Sequence, residues 1–327
     1  MDLQKRQQKV DSGSLSLSCI VPVHNEEQNI EAFLQQLKAK IESLSQYFEI
    51  MIIDDGSNDA TCELIRPFLE DQRIKLINFS RNFGKESAIT AGIHACQGDV
   101  AIIIDADFQQ PLSLIDQFIE KWQQGYDMPY GLRTDRKNDK PLRRWLTNRF
   151  YHVLGWLSEV EIPADAGDFR LLDRRVINAI KQCRENSRFM KGLYAWSGFS
   201  VVAVPFEVQQ RVSGKSSWSV YRLFDLALTG IFSFSDLPLR IWSLIGLAIS
   251  SVSFLYALWI VFKTLMFGTQ VPGYATTVVA IIFFGGVQLI SIGILGEYIA
   301  RIFREVKDRP LYIIRDTVNL DSGSSDL

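Results

Sequence analysis

Residues 241–262 contain no charged side chain, and neither do residues 264–296. A helix over the first stretch is roughly 33 Å long, enough to cross the hydrocarbon core of a bilayer. The apolar part of the second begins near Ala275 and supplies another span. Gly268, Pro272 and Gly273 lie between them as a turn-rich connector. A pair of buried core helices is the alternative, but soluble helices rarely run so far without a charge. Basic residues set the orientation. Arg222 and Arg240 precede the first span, and Arg301, Arg304, Lys307 and Arg309 follow the second. The connector side carries Lys263 alone. Both chain ends are therefore expected in the cytosol, with the hairpin tip outside.

Two flanking segments have amphipathic character. Residues 143–157 mix arginines with Trp145, Phe150, Tyr151 and Trp156. They read equally as a headgroup-level helix or as an ordinary core-facing one. Residues 220–237 adjoin a span, which favours an interfacial position. Arg133, Arg136, Lys137, Lys140, Arg143 and Arg144 form a basic cluster suited to anionic headgroups or a lipid phosphate, or to a solvated basic loop. The net charge of −2, with 22% charged residues, gives no basic excess for nucleic acid. Cys19, Cys62, Cys96 and Cys183 are too scattered for a zinc or redox motif. Residues 1–13 are polar, lack the apolar stretch of a signal peptide, and are expected to be poorly ordered.

The first two-thirds of the chain has a different texture. Apolar runs at residues 17–23, 49–53, 74–79 and 100–104 read as buried strands, separated by helical patterns at 26–44, 60–69 and 86–96. That alternation predicts a mostly parallel α/β sheet. In such sheets ligands bind beyond the carboxyl ends of the strands. A polar cluster follows each run: Pro22 to Glu26, Asp54 to Ser57, Ser80 to Lys85, and Asp105 to Asp107.

Each cluster has a chemical reading. Asp105 and Asp107, two residues apart after an apolar strand, can share a hard cation such as Mg²⁺. Asp54 and Asp55 exceed what capping the next helix needs, so one is free to accept hydrogen bonds from a base or ribose. Ser57 or Asp59 can cap that helix, and Gly56 permits a tight turn. Arg81 and Lys85 flank Gly84 and suit a diphosphate, or else form a solvated basic loop.

In order, IVPVHNEEQNI, IIDDGSNDAT, FSRNFGKESAITAG, IIDADFQQP, GDFRLLDR and RVSGKSSWS resemble family 2 glycosyltransferases of the GT-A fold. The nearest branch is the polyprenyl-phosphate glycosyltransferases, which includes bactoprenol glucosyltransferases and dolichol-phosphate mannose synthases. The likeness runs from about Leu17 to Arg309. It implies a GT-A catalytic domain at 15–219, a juxtamembrane segment at 220–240, spans at 241–263 and 275–300, and a cytosolic tail at 301–327, after a disordered 1–14.

The resemblance implies site roles too. Pro22, Asn25, Glu26, Asp54 and Asp55 line base and ribose. Arg81, Lys85, Asp105, Ala106 and Asp107 meet the nucleotide sugar, with Asp107 the more direct ligand for Mg²⁺ or Mn²⁺ and Asp105 its companion. Arg211, Ser213, Lys215 and Ser216 close over the diphosphate, with Arg211 and Lys215 as catalytic cations. Asp168 occupies the acceptor-side acid position, with Asp165 as runner-up and an ion pair to Arg170 or Arg174 as the bland alternative. The implied reaction is inverting transfer of a sugar, glucose from UDP-glucose foremost, to a polyprenyl phosphate, undecaprenyl phosphate foremost. Mannose, GlcNAc or aminoarabinose transfer to the same lipid class is the alternative. The implied location is a bacterial plasma membrane.

A processive polysaccharide synthase is disfavoured: Gln210-Arg211 lacks the Trp of QxxRW, and two spans are few. A non-catalytic regulator predicts damage to the acids, which are intact, and two spans are too few for a transporter within one chain. Gly285, Gly286, Ser291, Gly293 and Gly296 offer small-residue packing surfaces, so a homo-oligomer is expected.

Overall fold

The computed structural model describes residues 3–134, 166–183, 185, 188–207, positions between 245 and 267, and 273–320. Helix α1 (Leu3–Asp11) leads into β1 (Ser16–Val23), α2 (Ile30–Leu44) and β2 (Tyr47–Asp54). Then come α3 (Thr61–Ile65), a 3-10 helix (Arg66–Glu70), β3 (Ile74–Phe79), α4 (Lys85–Ala95) and β4 (Val100–Ile103). Next are α5 (Leu114–Gln123), β5 (Met128–Arg133), β6 (Ala166–Asp173), α6 (Arg174–Gln182), α7 (Met190–Trp196) and β7 (Val201–Phe206). Towards the end of the chain, α8 (Tyr274–Val306) is followed by β8 (Ile314–Val318).

The eight strands form one sheet in the order β7-β5-β6-β4-β1-β2-β3-β8. Its central strands, β4-β1-β2-β3, are parallel throughout. Strand β6 runs antiparallel to β4 and β5, and β8 antiparallel to β3. The four strands expected from the apolar runs are therefore the parallel centre. Burial explains their sequences: Ile50, Met51, Ile52 and Ile53 are all inaccessible because helices cover both faces. Helices α2 and α5 cover one face through Phe33, Leu34, Leu37, Phe118 and Trp122. Helices α4, α6 and α7 cover the other. A Cβ on Gly92 would lie 2.3 Å from Ile20 Cγ2, so α4 can sit this close to β1 only with glycine there.

Local chemistry adjusts the expected helices. The pattern over 26–44 begins as helix only at Ile30, because a turn closed by the Asn29 N–H on the Glu26 carbonyl at 3.0 Å precedes it. The pattern over 60–69 splits at Arg66 into a 3-10 segment, where Pro67 supplies no N–H.

Two terminal expectations are corrected. The N-terminal segment is not disordered. Arg6 on α1 is buried, with its guanidinium donating to the Trp122 and Tyr126 carbonyls at 2.9 Å and pairing with Asp127 at 2.5 Å and Asp173 at 3.1 Å. The ordering force is a buried ion-pair network rather than apolar pattern. Nor are residues 301–327 simply a tail. Helix α8 continues to Val306, and β8 then rejoins the eight-stranded sheet. The domain expected at 15–219 thus draws on chain outside those bounds at both ends.

Helix α8 is long and apolar enough to cross a membrane, with its most apolar window at Phe283–Ala300. The described positions from 245 to 267 are helical. The amphipathic segments at 143–157 and 220–237 lie outside the described residues.

Candidate functional site

Strand β1 is flanked by β2 on one side and β4 on the other, so chain connections leave it in opposite directions. The carboxyl ends at that crevice are where an open α/β sheet receives ligands. All four polar clusters lie there.

The β1 and β2 ends are interlocked. Asn25, in a left-handed conformation at φ 56°, receives the Asn58 N–H on its Oδ1 at 2.9 Å and donates its own N–H to Ser57 Oγ at 2.9 Å. The Glu26 N–H donates to Thr61 Oγ1 at 2.8 Å, and Asn29 Nδ2 donates to Glu26 Oε2. Asp59, rather than Ser57, serves the start of α3, accepting from the Thr61 N–H at 3.1 Å. Ser57 is used between the loops. Pro22 pairs in register with Ile53 just below the rim.

Asp54 and Asp55 are both buried but work differently. Asp54 accepts from the Ser57 N–H at 3.2 Å. Asp55 accepts from the N–H groups of Phe83 and Gly84 at 2.6 and 2.9 Å, which ties the third loop to the second. Burial raises the Asp55 pKa against the pull of those two donors. Gly56, at φ +66°, is required here: a Cβ would stand 2.5 Å from the Arg81 carbonyl carbon. Arg81 is exposed, its guanidinium 4.1 Å from the Phe83 ring.

Lys85 opens α4 and is the hub of the fourth cluster. Its ammonium lies 2.7 Å from Asp105 and 2.7 Å from Asp168, which comes from β6 across the sheet. The bland expectation of an Asp168 pair with Arg170 or Arg174 does not hold. Arg170 is buried 3.9 Å from the Tyr194 ring and donates to the Gly167 carbonyl, and Arg174 donates to carbonyls of Cys96 and Gly98. Burial works against the Lys85 charge, but Asp105 and Asp168 hold its pKa above the ordinary range. Burial also opposes the Asp168 charge, yet Lys85 and Lys191 keep it well below the usual carboxylate range. Asp168 is thus an anion at neutral pH.

The DxD turn is fixed by the residues after it. Gln110 donates to Asp105 Oδ2 at 3.0 Å and accepts from the Asp105 N–H. Asp107 accepts from the Gln109 N–H at 3.1 Å. Ala106 is buried beneath the turn. Among the described residues no three His, Cys, Asp or Glu gather into a metal-holding group. Two carboxylates at a strand end, one already paired with an ammonium, fit a hard divalent cation that brings waters and phosphate oxygens of its own.

Sequence reasoning missed Glu86. It accepts from the Met190 N–H at 3.1 Å, and burial and the nearby Asp168 push its pKa up to about 7. Its signal was an acid beside Lys85 in the first turn of α4. Arg211, Ser213, Lys215 and Ser216 lie outside the described residues, as do Asp165 and the basic cluster except Arg133, the last residue of β5.

Residues 18–181 match the model of glycosyl transferase family 2. The chain belongs to that family. Residues 237–302 match the GtrB C-terminal hairpin. The transferase is 45% identical over 309 residues to an uncharacterized glycosyltransferase of Synechocystis sp., covering 94% of this chain and 97% of that one. It is 44% identical to the SfII prophage-derived bactoprenol glucosyl transferase of Shigella flexneri, over 92% of this chain and 98% of the relative. A prophage bactoprenol glucosyl transferase homolog of Escherichia coli is 42% identical, over 92% and 99%. As a family 2 member the transferase is a sugar-transferring enzyme of GT-A architecture.

Proposed function

We propose that the transferase moves a hexose from a nucleoside-diphosphate sugar to a polyprenyl phosphate at the cytosolic face of a bacterial plasma membrane. Glucose, UDP and undecaprenyl phosphate head the candidates. The observation that carries this reading is the Lys85 bridge between Asp105 of the DxD turn and Asp168, in a chain with several relatives along almost its whole length that are named bactoprenol glucosyl transferases.

In this reading Pro22, Asn25, Glu26, Asp54 and Asp55 take the base and ribose, and Arg81 approaches the diphosphate. Asp105 and Asp107 hold Mg²⁺ or Mn²⁺, which when bound supplies Lewis-acid stabilisation of the departing diphosphate. Arg211, Ser213, Lys215 and Ser216 close over that diphosphate and add positive charge where negative charge develops. An oxygen of the lipid phosphate attacks the anomeric carbon from the face opposite the nucleotide. The new carbon–oxygen bond forms as the bond to the diphosphate breaks, with inversion. A phosphate acceptor is largely ionised at neutral pH. Asp168 therefore orients the acceptor more than it removes a proton, and the Lys85 ammonium sits between the two acids. The hairpin crosses the bilayer with both chain ends cytosolic, which sets the site beside the lipid headgroup. Copies of the chain associate through the glycines and Ser291 of α8.

The test uses the purified full chain with undecaprenyl phosphate and a panel of radiolabelled UDP- and GDP-sugars. One sugar, expected to be glucose from UDP-glucose, should enter the lipid phase as a monosaccharide. Asp107→Ala should abolish cation-dependent nucleotide binding. Label that stays aqueous with every donor, or a lengthening polymer, refutes the reading.

A further inference from the structure

Strand β8 reaches the catalytic sheet only after the chain has left α8. Its place is well secured. Tyr312 stacks on Phe79 with ring centres 4.9 Å apart, the Ser80 N–H donates to the Ile313 carbonyl, and Asn319 Nδ2 donates to the carbonyls of Leu69 and Ile74. The register matters more. Val23 pairs with Asp54, Asp54 with Asn78, and Asn78 with Asp316. One rung across four strands therefore runs from the end of β1 to β8.

The Asn78 and Asp316 side chains of this rung touch. Asn78 is buried, and its Nδ2 donates to Asp316 Oδ2 at 2.6 Å. That bond fixes which way the Asn78 amide faces, and its Oδ1 accepts from the Cys62 thiol at 3.7 Å. Burial, and after it the Asp54 carboxylate, push the pKa of that thiol up to about 12. Arg315 pairs with Asp316 at 2.9 Å, and its charge also reaches Asp54.

We propose that β8 is a positioning strand of the donor site: Asp316 orients Asn78, the cross-strand neighbour of Asp54, so that nucleotide binding and β8 docking strengthen each other. This rests on the reading of Asp54 as a nucleotide residue. The coupling must be reciprocal, since two linked equilibria shift one another by the same factor.

The experiment titrates the full chain in detergent micelles, with Mg²⁺, against whichever of UDP and GDP binds the wild type. Asp316→Ala should weaken binding and raise the donor KM about fivefold, the loss of one charge-assisted bond half-exposed to water. The turnover rate and the acceptor KM should stay within about twofold, as for loss of uniform donor binding. Asp316→Asn keeps an oxygen facing Asn78 and should recover most of the affinity. Thr317→Ala, on the other face of β8, should leave it unchanged. Asp54→Ala separates the two readings. Undiminished binding in Asp54→Ala sinks the assignment of Asp54. Diminished binding there with wild-type affinity in Asp316→Ala sinks the positioning role alone. A variant that fails to fold does not block the test, because hydrogen exchange of the wild type reads the same linkage. Nucleotide should slow exchange over 314–318, and unchanged exchange there with protection at Asp54 to Ser57 overturns the proposal.

Discussion

Lys85 stands between two carboxylates while Glu86, its neighbour, is pushed toward neutrality. The pair turns one helix start into an electrostatic divider: the lysine pairs with two acids at the crevice, and the glutamic acid remains protonated longer than an exposed one. The consequence for stability has a definite sign. The folded-state pKa of Glu86 lies near 7 against an ordinary 4.5, because burial and Asp168 penalise its anion. Its contribution is fully present below the ordinary value and is lost as pH rises through the folded one. Glu86→Gln keeps an acceptor for the Met190 N–H and cannot ionise. The variant should gain stability over the wild type as pH climbs from 4.5 to 7, reaching on the order of 1 kcal/mol after screening, then stay level. Melting curves across that range check it, and a pH-independent difference between the two proteins would contradict it.

At the scale of elements, α1 shows how far a short helix can depend on remote partners. Arg6 fills a buried site whose acids, Asp127 and Asp173, belong to the start of β5 and the end of β6. Trp122 completes it, donating its indole N–H to Asp173 at 2.8 Å. Arg6→Ala takes from buried Asp173 the nearer of its two cations, leaving Arg175 at 3.4 Å, and should cost about 3 kcal/mol in chemical denaturation, while Arg175 and Ser200 still serve Asp127. A loss within experimental error would mean that the acids relax into solvent. The same helix marks the limit of sequence reading. The four parallel strands are legible because each is a mostly apolar run followed by a polar cluster, and their rim follows from strand direction alone. Helix α1 (LQKRQQKVD) carries almost no apolar stripe, so its order depends on contacts more than a hundred residues away. Strand β8 (IRDTV) is five residues of mixed polarity and becomes a strand because β3 offers an open edge. Asp105, Asp107 and Asp168 were readable as acids at motif positions. That Lys85 joins them was not, since β6 is brought to α4 only by the sheet order.

For the whole molecule, the arrangement of charge about the two apolar stretches predicts an orientation that labelling can test. A membrane-impermeant maleimide should modify Gly273→Cys in intact cells, and Leu320→Cys only after the membrane is opened. The reverse pattern would put the donor site on the wrong side for a cytosolic nucleotide sugar. The two endogenous cysteines with partial exposure, Cys62 and Cys183, would share the inward compartment of residue 320.

The return of β8 to the sheet also sets an order of manufacture. The ribosome delivers β1 through β7 first, then the hairpin, and only then the strand that covers β3. Until the second apolar helix has been made, the catalytic sheet has a bare edge with unpaired backbone groups, a template for pairing with another chain. A shortened protein ending before the hairpin would carry that edge permanently. Such a fragment should be prone to self-association even though every residue of the DxD turn is present. Completion of the sheet is thereby deferred until both apolar helices of the chain have been synthesised.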